Sequence, residues 1–268
     1  STRKESSAAS DVYKRQELIK RTLHIQKEDP VKKCFTEFNQ LVFNKHPYSN
    51  DIIGNERSVK SLSRKKVMDK HLKNLATKEI VFSYCGDQDL DVIIEKVKSY
   101  TKTLPKRTVK KLKTKTTINP IINQSLDFTF DREQTHIMIG KPSFKAGSEE
   151  DLYLKIFTTF LSGQSSELFL EVRDRRGLCY SVQALQNSAL EASYWGIYIG
   201  SGTDKKDQAI QAIKSILSKY QKNGLKKSEF KMTKKMIQGQ NLISVQTNED
   251  YANFYSIAIL HNLGIDYQ

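Results

Sequence analysis

Cysteine is scarce in this 268-residue sequence: Cys34, Cys85 and Cys179 are odd in number, far apart and without C-x-x-C spacing. That argues against a disulfide framework and against a cysteine-ligated zinc, and buried free thiols are the expected state. No 18-residue apolar run occurs, so no membrane-spanning helix is expected. The first residues also lack the apolar core of a secretory signal, although export of a longer parent chain stays open and the compartment is not legible. Apolar residues make up only 38% of the chain and charged residues 28%. Yet Tyr, Phe and β-branched residues recur along most of its length, which supports a core and excludes disorder of the whole chain. The length suits one large or two ordinary domains.

Acid is missing where base is densest. The net charge is +14, and half of it lies between Lys102 and Lys115, where seven basic residues occur without an Asp or Glu. A basic run between periodic segments reads first as a solvated linker. There is no zinc-finger spacing, no RNP-type aromatic strand and no clear helix-turn-helix, so nucleic acid is only an alternative partner.

Residues 1–16 are small and polar with no helical or strand period, and Asp11-Val12-Tyr13-Lys14-Arg15-Gln16 looks like the translation of a sequencing-library adapter. They read as a non-native tail. Residues 17–101 read as the C-terminal part of a first α/β domain, 102–119 as the basic linker, and 120–268 as a second α/β domain; both ends read as cut. Periodicity predicts a helix over 17–43 broken at Asp29-Pro30, helices over 64–76, 90–100, 149–161, 165–175 and 248–263, and strands over 79–84, 125–130, 134–140, 178–185 and 192–200. Ser63, Asp204, Ser228 and Asn248 are the expected N-caps, and Gly177 and Gly264 the expected helix stops. The fold class is α+β: two-layer α/β sandwich domains with mostly antiparallel sheets and helices packed on one face, the first domain truncated.

No complete active site is present. His24, His46, His71, His136 and His261 are isolated, and neither H-E-x-x-H nor H-x-x-E-H occurs. His24 and Glu28 have i, i+4 spacing, but two ligands without a third make a weak metal site, and a surface helix pair is the better reading. There is no G-x-S-x-G and no phosphate-cradling glycine loop. One constellation stands out, running from Glu167 through Arg173, Gly177, Leu178 and Cys179 to Tyr180 and Val182, from helix to strand through a single glycine. Its plain reading is a capping Arg and a half-buried strand Tyr. A guanidinium and a phenol on rigid elements are also donors of fixed geometry that can grip a peptide carbonyl and its developing oxyanion.

These residues resemble the insulinase (pitrilysin) family of zinc metallopeptidases, which includes the mitochondrial processing peptidase. The resemblance covers nearly everything from Glu17 onward and rests on Lys27-Glu28-Asp29-Pro30, His46-Pro47-Tyr48-Ser49 with Gly54 following, and Tyr84-Cys85-Gly86-Asp87, in that order. Gln134 to Gly140, Phe160-Leu161-Ser162-Gly163 and, most specifically, Arg173 with Gly177-Leu178-Cys179-Tyr180 extend it. The resemblance implies paired two-layer domains around a chamber in which an extended peptide adds a strand to a sheet edge. It implies an H-x-x-E-H helix that binds zinc in a partner or missing domain, with Arg173 orienting substrate and Tyr180 donating to the oxyanion as the catalytic contributions of this chain. The family's third zinc ligand would fall at or near Thr22, a poor ligand, so no metal or other cofactor is expected in this chain itself. The expected partners are a peptide substrate and an H-x-x-E-H-bearing domain or subunit, and the fragment is expected to be inactive alone. A structural paralogue serving assembly and a basic nucleic-acid-binding protein are the alternatives.

The nucleic-acid alternative makes its own prediction. Binding to a labelled oligonucleotide would weaken steeply as salt rises, and neutralising the charges over 106–115 would remove it; a solvated linker shows no binding in the same salt series.

Overall fold

The computed structural model describes residues 2–75, 80–104 and 124–265, and for 2–10 the backbone only. The basic run and linker of the sequence reading fall mostly on 105–123, outside the described residues. Two compact units emerge, each discontinuous in sequence: one draws on Ser1–Ile25, Ile52–Lys113 and Leu242–Gln268, the other on Gln26–Asp51 and Thr114–Asn241.

The second unit is built on three strands, β1 (Gln134–Ser143), β2 (Ser181–Asn187) and β3 (Ser193–Gly202), antiparallel in the order β1-β3-β2. Pairing puts Ile137 opposite Ile199, Ile139 opposite Ile197, and Val182 and Ala184 opposite the same two isoleucines from the other side. Because side chains alternate along a strand, these residues and Trp195 share one face. That face is covered by α6 (Glu149–Leu161), a π-helix (Leu168–Arg175) and α7 (Lys206–Asn223), through Leu161, Leu168, Val172, Ala212, Ile213 and Ile216. Ile199, Leu168, Val172 and Ile213 are fully buried. Each such side chain is worth about 1.5–3 kcal/mol of transfer free energy, which makes this interface the unit's main source of stability. Trp195 keeps its indole N–H satisfied by donating to Thr158 Oγ1 at 2.9 Å.

The other face carries Tyr194 and Tyr198 and is crossed by α2 (Pro30–Phe43). Helix α2 forms where the sequence stops α1 (Thr2–Glu28): the Asp29 carboxylate accepts the N–H groups of Val31 (2.8 Å) and Lys32 (3.1 Å), and Pro30 occupies the first turn, where no N–H is needed. Its stripe meets the sheet as rings, Phe35 stacked on Tyr198 at 5.4 Å and Phe38 edge-on to Tyr194 at 5.1 Å. The approach needs glycine underneath. Gly140 and Gly196 face each other across β1 and β3, and a Cβ on Gly140 would lie 2.6 Å from Phe38 Cζ and 2.5 Å from the Trp195 carbonyl oxygen. After α2 the chain turns at a buried His46, whose Nδ1 accepts the Tyr48 N–H at 3.2 Å while Nε2 faces Glu191 at 3.5 Å. The His46-Pro47-Tyr48-Ser49 signature is therefore a structural joint.

The first unit is helical in its described residues: α1 as far as Ile25, α3 (Glu56–Lys60), α4 (Arg64–Asn74), α5 (Leu90–Thr101) and α9 (Asn248–Leu260). Asn55 and Ser58 cap α3 reciprocally, and the Gln16 amide donates to the Val59 and Leu62 carbonyls at 2.9 and 3.0 Å. The sequence boundary between the two units, at Asn241 and Leu242, falls inside α8 (Lys227–Ser244). Among the described residues no helix is long and apolar enough to cross a membrane.

The mixed architecture expected from sequence is present, with specific corrections. Residues 80–84 and 125–130 form no strand, since β-rich composition yields one only where a neighbour supplies the ladder, and no described strand pairs with either. The described part of 1–16 is helical despite its weak period. Thr247, not Asn248, caps α9, in a reciprocal box with Asp250; α8 starts one residue ahead of Ser228; Asp204 lies inside a short 3-10 turn, Thr203–Lys205. Helix α9 stops before Gly264: Asn262 takes the left-handed conformation (φ 54°), with its N–H returning to Ile259 and that of Leu263 to Ala258. Of the three cysteines, Cys179 is buried and Cys34 and Cys85 are half-buried; all are free thiols.

Gly140→Ala should lower stability by about 1–3 kcal/mol, the usual cost of overpacking. The urea midpoint is expected to fall with an unchanged slope; an unshifted midpoint would show that α2 does not press on the sheet at this glycine.

Candidate functional site

The segment singled out by sequence folds as a helix, a sharp turn and a strand, all anchored to the buried core. Its helix is π-helical over Leu168–Arg175, an i→i+5 form that is rare and concentrated at functional sites. Gly177, at φ 54°, ends it: its N–H returns to the Arg173 carbonyl (3.1 Å) and the Leu178 N–H to the Val172 carbonyl (2.9 Å). Leu178 and Cys179 then drop into the core, and Tyr180 joins the sheet by donating its N–H to the Gly200 carbonyl at 2.7 Å. Lys205, from the turn after β3, pins the loop from outside by donating to the Gly177 carbonyl at 3.0 Å.

Held this way at the backbone, the two side chains are free at their heads. Arg173 is exposed, its guanidinium lying 4.8 Å from the centre of the Phe169 ring, and Tyr180 is 62% exposed. Among the described residues neither head group has a hydrogen-bond partner. Burial raises the pKa of the Cys179 thiol and the positive charge of Arg173 opposes that shift, so the guanidinium lies near the residue that precedes Tyr180. The arrangement offers two exposed donors, one charged and one neutral, on a rigid turn. Sequence reasoning missed Phe169 and Lys205 as supports for them, because a ring under a guanidinium and an amine on a turn carbonyl are contacts between elements that no spacing rule displays.

The start of the π-helix is tied to α7 by Glu167. Its carboxylate receives Lys219 Nζ at 2.8 Å on both oxygens and the Tyr220 hydroxyl. Burial would raise this carboxyl, but the hydrogen bonds from Lys219 and Tyr220, with the charges of Lys219 and Arg175, outweigh it and hold it below the ordinary range. Burial and the same carboxylate raise the Tyr220 phenol, which stays a donor.

The residues described do not fit a zinc ion. No three His, Cys, Asp or Glu side chains gather among them, and the Thr22 hydroxyl, at the place where the resemblance puts a ligand, is turned onto the Leu18 carbonyl of its own helix at 3.1 Å. Cys34 is unsuited as well, its thiol pushed up to about 11 by burial, against a hydrogen bond to the Met138 backbone.

A family model described as the peptidase M16 inactive domain matches residues 61–237, well over half of the chain. The chain belongs to the M16 peptidase family. This bears out the insulinase-type resemblance, and because the matching model is that of the family's inactive domain, no catalytic zinc centre is assigned to this chain. Among curated relatives, an uncharacterized zinc protease of Mycobacterium tuberculosis is 24% identical over 243 residues, covering 89% of this chain and 55% of the relative. One of Bacillus subtilis is 28% identical over 118 residues, covering 44% of this chain and 29% of that protein. The chain thus spans about half the length of the mycobacterial relatives it matches. Of solved structures, the peptidase M16 inactive domain from Pseudomonas fluorescens superposes with a TM-score of 0.79 at 18% identity, over 97% of this chain and 62% of its own. A protease from Helicobacter pylori gives 0.79 at 14% identity, over 94% and 63%. These likenesses establish the M16 fold.

A carboxyl held down in the folded state adds stability above its ordinary value of 4.5 that is lost as pH falls through the lower folded value. Chemical denaturation from pH 6 to 3 should therefore show a decline that Glu167→Gln flattens; identical slopes in both proteins would mean that the Glu167 clamp is not populated.

Proposed function

We propose that this chain is the zinc-free, peptide-binding half of an M16-type metallopeptidase, supplying Arg173 and Tyr180 to a site whose zinc and H-x-x-E-H helix belong to a partner domain or subunit. The observation that carries the reading is the contrast at one turn. The backbone of Arg173 to Tyr180 is fixed by Gly177, by the buried Leu178 and Cys179 and by Lys205, while both head groups stand exposed and unpaired among the described residues. Water satisfies both donors in the free chain, so a peptide carbonyl can take them without breaking a contact of the fold.

In this reading Arg173 grips a backbone carbonyl of an extended peptide. The phenol of Tyr180 donates to the oxygen that gains charge as the scissile carbonyl becomes tetrahedral, a bond that strengthens in the transition state. Neither residue activates water, so the chain alone is inactive. The second reading, a paralogue retained for assembly, keeps the same fold and leaves both side chains idle.

In a reconstituted pair with an H-x-x-E-H-bearing M16 subunit, Arg173→Ala and Tyr180→Phe should each lower kcat/KM by about 100- to 1000-fold, the usual loss for one oxyanion donor. The Tyr180→Phe loss should fall mainly in kcat. Unchanged turnover with intact assembly would establish the structural reading instead.

A further inference from the structure

On the face of the sheet that carries Tyr194 and Tyr198, polar side chains from three strands meet over one glycine. The register sets His136 of β1 and Ser181 of β2 on either side of Gly200 in β3. His136 Nδ1 lies 2.8 Å from Tyr198 Oη with the two rings 7° from parallel, and Ser181 hydrogen-bonds the same phenol. A Cβ on Gly200 would stand 2.7 Å from Ser181 Oγ, 3.6 Å from Tyr198 Oη and 3.7 Å from His136 Nδ1. The missing side chain is what lets the three converge. Ser181 is exposed and the other two are half-buried, so the cluster is open to solvent on one side. It also adjoins the candidate site, since Tyr180 precedes Ser181 and bonds the carbonyl of the same Gly200.

The direction of the hydrogen bonds follows from the groups. Burial keeps the Tyr198 phenol protonated, and Ser181 donates to its oxygen. Assigning the phenol proton to His136 Nδ1, 2.8 Å away, leaves a neutral imidazole with its own proton on Nε2, and burial, with Asp29 opposing, lowers the imidazole pKa and favours that neutral form. Among the described residues that leaves the cluster one unspent donor, His136 Nε2–H, and one unspent acceptor, the lone pairs of Ser181 Oγ.

We propose that His136, Tyr198 and Ser181 form a specificity subsite beside Tyr180 that takes a peptide side chain ending in a carboxamide, Asn or Gln. This deepens the reading of the chain as a peptide-binding half and rests on it. A carboxamide offers an acceptor to Nε2–H and a donor to Ser181. A carboxylate offers acceptors only and brings negative charge toward Asp29, whose field is felt at both His136 and Tyr198. An aliphatic side chain leaves both positions unpaired. The sequence showed His136 only as an isolated histidine, because strand pairing alone brings it to Ser181 and Tyr198.

The test uses the 268-residue chain and capped, fluorescently labelled alanine-based hexapeptides differing at one position, Gln, Glu or Leu. Anisotropy titration should show the Gln peptide binding about tenfold tighter than Leu, the size of one well-made hydrogen bond, and tighter than Glu. Nitrogen NMR should report the Nε2–H tautomer of His136, and its signals should move with the Gln peptide and not with Leu. Ser181→Ala, at an exposed position, should erase the preference for Gln over Leu; Tyr198→Phe should erase it and release the tautomer. Equal affinities for the three peptides, or a preference that survives Ser181→Ala, overturn the subsite and leave the peptide-binding reading standing. Failure of all three peptides to bind overturns both.

Discussion

The pairing of β3 with its two neighbours is the constraint on which the rest of the second unit depends. One face of that strand, Trp195, Ile197 and Ile199, is the floor of the buried core, and the other, Tyr194 and Tyr198, receives α2. Both faces are bound to the same register, so a slip of one residue would turn the isoleucines toward α2 and the tyrosines into the core. The glycines show how closely the register is used. Gly140 and Gly196 make room for Phe38, and Gly200 makes room for His136, Tyr198 and Ser181 while its carbonyl starts the pairing of β2 at Tyr180.

The candidate site inherits its rigidity from that strand. Arg173 and Tyr180 are seven positions apart, and the residues between them include two that are buried, Leu178 and Cys179, and one left-handed glycine. The turn therefore cannot relax without taking core side chains into water, which costs about 1.5–3 kcal/mol for each large one. Glu167 at one end and Lys205 at the other tie the segment to α7 and to the turn after β3. Exposed donors on a turn held this firmly are pre-organised, and pre-organisation is what electrostatic stabilisation of a transition state demands.

Much of this was legible in the residues. Asp29-Pro30 announced the break between α1 and α2 because a carboxylate that can cap two N–H groups precedes a residue that has none to cap. Gly177 announced the turn because a β-carbon is disfavoured at its φ. Other features were not legible, for reasons that differ. The β-rich runs at 80–84 and 125–130 have strand composition, but a strand is a relation between two segments, and composition describes one. Thr247 and Asn248 are both good cap residues, and only the reciprocal bond with Asp250 selects the first. Asn262 displaced Gly264 as the helix stop because a short amide side chain also tolerates the left-handed region.

Membership in the M16 family, the α+β class, the break at Asp29-Pro30 and the turn at Gly177 between Arg173 and Tyr180 were determined by the sequence by itself, since each is carried by local order and spacing along the chain. Tertiary structure alone decided which residues meet across β3, that Phe169 lies beneath the Arg173 guanidinium, that Gln26–Asp51 packs with the sheet of the second unit, and that His136 is one corner of a polar cluster rather than an isolated ring. The physical reason is the same in each case: capping, turns and helix stops are settled within a few residues, whereas register and face are settled by packing between side chains as distant in the chain as Phe35 and Tyr198.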